Sequence, residues 1–194
     1  MMNRAQVIGR RNAMELAVPR RQSHDIGNVI VDPNSNALID GVEIEPFIQW
    51  PDDRGAFAEL FRFGTGGIAR DFVSSEENHI QVSAASSYPG TIKAIHYHFE
   101  QTDLWVPAAG MLQVFLCDLR SDSRTFGDVN TLYIGHLRPW KIRIPPGVGH
   151  GYKILGLQPA VLVYATNRFY NAADEGRLPY NDPDINYDWE LQHK

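Results

Sequence analysis

From about residue 26 the chain alternates short runs rich in β-branched and aromatic residues with turn residues: NVIV, GVEIEPFIQW, GAFAELFRF, HIQVSAAS, TIKAIHYHF, DLWVP, MLQVFLCDL, NTLYIGHL, WKIRIPP, GYKIL and AVLVYAT. Their lengths and spacing predict an all-β sandwich or barrel. In MLQVFLCDL, Leu112, Val114 and Leu116 fall on one face and Gln113, Phe115 and Cys117 on the other. Apolar residues on both faces predict a strand with a packed inner side and a covered outer side. There is no long amphipathic helix pattern and no internal repeat. The punctuation DDRG, YPG, RTFGD, PPGVGHG and YNDPD marks loops, where chemistry is usually carried. Residues 1–25 show little periodicity, and Pro19 interrupts their one helix-like run, AMELAV. This segment is expected to be a flexible basic extension, leaving residues 26–194 as a single domain.

Composition adds exclusions. With 43% hydrophobic and 21% charged residues, neither a largely disordered chain nor a membrane protein is indicated. Residues 1–21 carry five arginines against Glu15 alone, so the rest of the chain is more acidic than the formal net charge of −5 suggests. An acidic body with a short basic arm lacks the basic face of a nucleic-acid binder. No run approaches the length needed to span a bilayer, and the N-terminus lacks the apolar stretch of a secretory signal, so a cytoplasmic location is expected. Cys117, the single cysteine, is expected to be a packed strand thiol.

The candidate chemistry centres on TIKAIHYHFEQTDLW. Positions i and i+2 of a strand share a face, so His96 and His98 can present their imidazoles side by side. Asp103 begins the next apolar run, where an adjacent antiparallel strand would set its carboxylate opposite the pair. His150, in PPGVGHG, adds a third imidazole. His-x-His alone is more often a pair of strand histidines satisfied by hydrogen bonds than a metal site. The full spacing, from Gly90 through His96, His98, Asp103 and Gly110 to Pro145-x-Gly147-x-x-His150, resembles the metal-binding motif of the cupin superfamily. It departs by Asp103 in place of Glu and by lacking an Asn after His150. Three neutral imidazoles and a carboxylate suit divalent Fe, Mn, Ni, Cu or Zn, and no organic cofactor is expected.

A second resemblance covers about residues 46–189. The segments DDRGAFAE, GTIKAIHYH, DLRSDSRTFG, IPPGVGHGY, VLVYATNRFY and YNDPD, in this order, resemble the dTDP-4-dehydrorhamnose 3,5-epimerase family. The resemblance implies an all-β fold, a cupin-type β jelly roll (double-stranded β-helix) behind an N-terminal extension. It implies a homodimer, and an isomerase that epimerises a nucleotide-linked 4-keto-deoxysugar. By position in the motifs it assigns His96 as the base beside the C4 ketone and Tyr164 as the proton donor on the opposite face. Trp50, Arg54, Glu59, Gln81, Lys93 and Tyr170 match substrate-binding positions. Lys93 stands for an arginine, keeping the charge but not the bidentate fork.

Three departures bear on the reaction. The family's glutamine is His98 here, its enolate-stabilising lysine is Asp103, and the aspartate that orients its base lies beyond the counterpart of INYDW. The first two substitutions complete a ligand set of His96, His98, Asp103 and His150. A ligating imidazole has its lone pair committed, so metal binding and proton abstraction compete for His96. Two alternatives therefore stay open: a metal-dependent cupin oxygenase or lyase acting on a small oxygenated substrate, and a non-catalytic sugar-binding cupin.

Overall fold

A computed structural model describes residues 5–63, 72 and 80–192. Within them the protein is all-β, with no helix. A six-stranded sheet has the order β15-β8-β13-β10-β11-β3 and a five-stranded sheet the order β4-β12-β9-β14-β7. In the first are β3 (Asn28–Val29), β8 (Ile92–His98), β10 (Met111–Asp118), β11 (Val129–Gly135), β13 (Val148–Leu155) and β15 (Glu175–Arg177). The second contains β4 (Glu43–Pro46), β7 (Gln81–Ser87), β9 (Asp103–Ala109), β12 (Trp140–Ile144) and β14 (Ala160–Thr166). Two hairpins form separate two-stranded sheets, β1 (Gln6–Arg11) with β2 (Met14–Val18) and β5 (Gln49–Asp52) with β6 (Gly55–Ala58). The two larger sheets form the jelly roll.

The alternation in β10 is realised. Leu112, Val114 and Leu116 enter a core shared with Trp105, Ile142 and Leu162 of the other sheet. Each fully buried aliphatic side chain of this kind contributes about 1.5–3 kcal/mol. On the opposite face, Phe115 and Cys117 are covered by Ile185, Tyr187 and Trp189 from the C-terminal segment and by Leu16 and Val18 from β2. Gln113 also has a partner there, donating to the Tyr187 hydroxyl at 2.8 Å. Burial pushes the Cys117 thiol up, out of reach of thiolate chemistry.

The segment expected to be a flexible extension contains the β1–β2 hairpin over part of its length. Leu16, Ala17 and Val18 are buried, and Ala17 N–H donates to the Leu119 carbonyl at 2.8 Å. Arg11 reaches across to Asp174 at 3.0 Å. Asp174 in turn accepts from the backbone N–H groups of Phe99, at 3.2 Å, and Gln101, at 3.0 Å. This carboxylate clamps the turn between β8 and β9.

That turn carries the chain to the other sheet. β9 pairs with β12 and β14, and β8 with β13 and β15. Asp103 therefore does not sit on a strand hydrogen-bonded to that of His96 and His98; it approaches them across the interior.

The turn before β13 is equally constrained. Gly147 has φ +79, its N–H donates to the His98 carbonyl at 2.8 Å, and a Cβ there would lie 2.4 Å from Cγ of Arg120. Its position fixes the start of β13, which runs through His150 and sets it opposite His96.

Candidate active site

A cavity of about 450 Å³ opens between the two sheets, a size suited to a small-molecule ligand. The six-stranded sheet contributes Lys93, His96, His98 and His150, and the five-stranded sheet Gln81, Asp103, Tyr164 and Thr166. Tyr170 lies at the same wall, its N–H donating to Oε1 of Gln81 at 3.1 Å. Thus the two expected catalytic groups line one cavity from different sheets.

Three of the four expected metal ligands converge. His98, Asp103 and His150 are all buried, and one candidate donor atom of each lies within 4.8 Å of the others. Nδ1 of His150 faces the Val148 carbonyl at 2.9 Å, which leaves Nε2 toward Oδ2 of Asp103 at 3.6 Å. Gln101 donates to Oδ1 of Asp103 at 2.7 Å and Trp105 to Oδ2 at 3.1 Å, holding that carboxylate in one orientation. Nδ1 of His98 is buried with no hydrogen-bond partner among the described residues. An unpartnered buried imidazole nitrogen is costly in a closed core, and it is what a ligand-binding site leaves open. The residues fit a divalent cation.

His96 is outside this cluster. Its ring is nearly parallel to that of His150 at a centroid separation of 6.4 Å, and its Nδ1 lies 3.4 Å from Oε1 of Glu175. Burial, reinforced by repulsion from His150, holds the His96 imidazole below its ordinary pKa, with Glu175 pulling the other way. Burial likewise lowers His150, against the pull of Asp103. The geometry groups three of the four expected ligands and sets His96 beside Glu175 instead.

Glu175 and Arg177, both at the cavity, were not anticipated. Arg177 Nε donates to Oε1 of Glu175 at 2.5 Å. Burial alone would raise the Glu175 carboxyl, but the Arg177 hydrogen bond and the charges of His96 and Arg177 outweigh it and hold it below the usual range. The signal in the sequence was slight: an acidic pair followed by Gly and Arg in NAADEGRLPY, with no apolar alternation to mark a strand.

Three expected substrate-binding residues lie elsewhere in the chain. Trp50 packs against Phe57 across the β5–β6 hairpin, the rings tilted by 31° with centroids 5.7 Å apart. Arg54 pairs with Asp52 in the turn of that hairpin at 2.5 Å, and Glu59 with Arg62 at 2.6 Å. None of the three lines the cavity.

The model of the dTDP-4-dehydrorhamnose 3,5-epimerase family matches residues 36–194. The spore coat polysaccharide biosynthesis protein SpsL of Bacillus subtilis is 42% identical over 159 residues, spanning 81% of this chain and 100% of its own. The probable low-salt glycan biosynthesis epimerase Agl13 of Haloferax volcanii is 36% identical, covering 79% of this chain and 96% of its own. Among solved structures, the Legionella pneumophila dTDP-6-deoxy-D-glucose-3,5-epimerase in complex with dTDP-4-keto-L-rhamnose superposes with a TM-score of 0.66 at 26% identity, covering 80% of this chain and 82% of that one. Sequence and fold agree, and the chain belongs to the dTDP-4-dehydrorhamnose 3,5-epimerase family.

Proposed function

We propose that the protein inverts a carbon beside the C4 ketone of a dTDP-linked 4-keto-deoxysugar, with His96 as base and Tyr164 as acid. The observation that carries this reading is the origin of the two groups: His96 projects from the six-stranded sheet and Tyr164 from the five-stranded one, and both open on the same cavity. Inversion needs a proton removed from one face of the sugar and returned to the other, so a base and an acid on facing walls meet the requirement. The proton leaves carbon for His96, the electron pair passes into the carbonyl to give an enolate, and the Tyr164 hydroxyl supplies a proton from the second face. Lys93 and Arg177 offer cations for a diphosphate.

The test is incorporation of deuterium from heavy water into a dTDP-4-keto-6-deoxysugar, followed by proton NMR. Exchange at a carbon flanking the ketone is expected. Binding of the nucleotide sugar without exchange would overturn the reading in favour of a non-catalytic binding protein, and oxygen consumption on another substrate would do so in favour of a metal-dependent oxygenase.

His98, Asp103 and His150 are further proposed to hold one divalent transition metal. Bound there, such an ion supplies positive charge to polarise a substrate oxygen. Purified protein is expected to contain close to one metal per chain, and His98→Ala to lose it. Metal-free protein after expression in metal-supplemented medium would overturn the assignment.

A cytoplasmic homodimer completes the proposal. Ile48, Trp50 and Phe57 are exposed on and beside the β5–β6 hairpin, an apolar surface that a second copy would cover. Light scattering is expected to read twice the chain mass, and a monomer would overturn the assembly.

A further inference from the structure

We infer that Glu175 is the positioning residue for His96, a role that rests on His96 being the base. β15 is an edge strand of three residues whose register places Arg177 opposite His96 and Glu175 opposite His98. Its centre, Gly176, lies hard against Tyr97: a Cβ there would fall 2.0 Å from the ring's Cζ. With that face closed, the alternation of a strand sends Glu175 and Arg177 to the other side, and both line the cavity. Oε1 of Glu175 then lies 3.4 Å from Nδ1 of His96, its side chain 13% exposed. This contact is longer than a formed N–H···O bond, and catalytic hydrogen bonds commonly shorten only when substrate binds.

Among the described residues, the other nearby carboxylates are committed. Asp103 takes the donors of Gln101 and Trp105 and faces His150. Asp174 holds the turn amides and Arg11. Glu100 pairs with Arg168 at 2.7 Å. Glu175 is the carboxylate at Nδ1 of His96.

A carboxylate at that nitrogen selects the tautomer carrying hydrogen on Nδ1, so the lone pair sits on Nε2. It also stabilises the imidazolium once the proton has been taken from carbon. Arg177, on the same carboxylate oxygen, fixes the direction of Glu175.

The experiment compares wild type with Glu175→Gln. The variant is expected to lower kcat for deuterium exchange about 10–100-fold, the usual cost of losing an outer partner of a functional imidazole, a larger effect than any change in KM. Long-range proton–nitrogen NMR of wild type should find the His96 hydrogen on Nδ1, a readout that needs neither turnover nor the variant. An unchanged kcat, a loss confined to KM, or hydrogen on Nε2 of His96 in wild type would each overturn the role. A wild type inert toward dTDP-4-keto-deoxysugars, yet with the Nδ1 tautomer intact, would instead overturn the epimerase reading and leave the Glu175 contact standing.

Discussion

His96→Ala is expected to abolish proton exchange at the substrate carbon, lowering kcat about 10²–10⁴-fold, the contribution typical of a positioned general base. The loss should fall on kcat, because Lys93 and Arg177, the cations proposed for the diphosphate, remain. Stability should change little, since the His96 side chain is 31% exposed on the cavity wall and its strand keeps its pairing. Metal content is the informative control. Because His96 lies outside the cluster of His98, Asp103 and His150, the variant should hold as much of the proposed metal as wild type. Loss of metal from His96→Ala would restore the four-ligand set expected from the sequence, and an unimpaired exchange rate would remove His96 from the reaction.

Tyr164→Phe should separate two events that wild type couples. The ring remains to pack against the inter-sheet core, and only the hydroxyl is lost. His96 can still draw the proton and return one to the same face, so deuterium wash-in should persist at reduced rate while inversion falls about 10²-fold or more, as for loss of a general acid. The ratio of exchange to inversion, followed by NMR on one sample, reads this directly. Equal losses of both would place Tyr164 elsewhere in the mechanism, and an unchanged inversion rate would exclude it as the acid.

The jelly roll was legible because its central strands carry apolar residues at period two on both faces, as β10 does with Leu112, Val114 and Leu116 against Phe115 and Cys117. The motif residues Gln81, Lys93, His96, His98, Asp103, His150, Tyr164 and Tyr170 were found by resemblance and meet at one cavity. What escaped had no such pattern. β15 is three residues long with a glycine at its centre, too short for periodicity to register. β1, QVIGRR, reads as polar because its outward face and charged end dominate its composition. The partner of Asp103 was misjudged because nearness in sequence suggested a hairpin, whereas the EQT turn, clamped by Asp174, sends β9 into the opposite sheet. Trp50, Arg54 and Glu59 lie on and just beyond a hairpin that stands apart from the cavity in a single chain, and no local sequence signal could have given its direction.

Asp174 and Glu175 are neighbours with unrelated duties, one gathering the amides of the β8–β9 turn and the other facing the His96 ring. A slip of β15 by one residue would reverse the faces of its side chains and disconnect both at once. The fit of Gly176 against Tyr97 is therefore a register lock: one missing methyl group keeps the scaffold of the turn and the orientation of the base from being exchanged for each other.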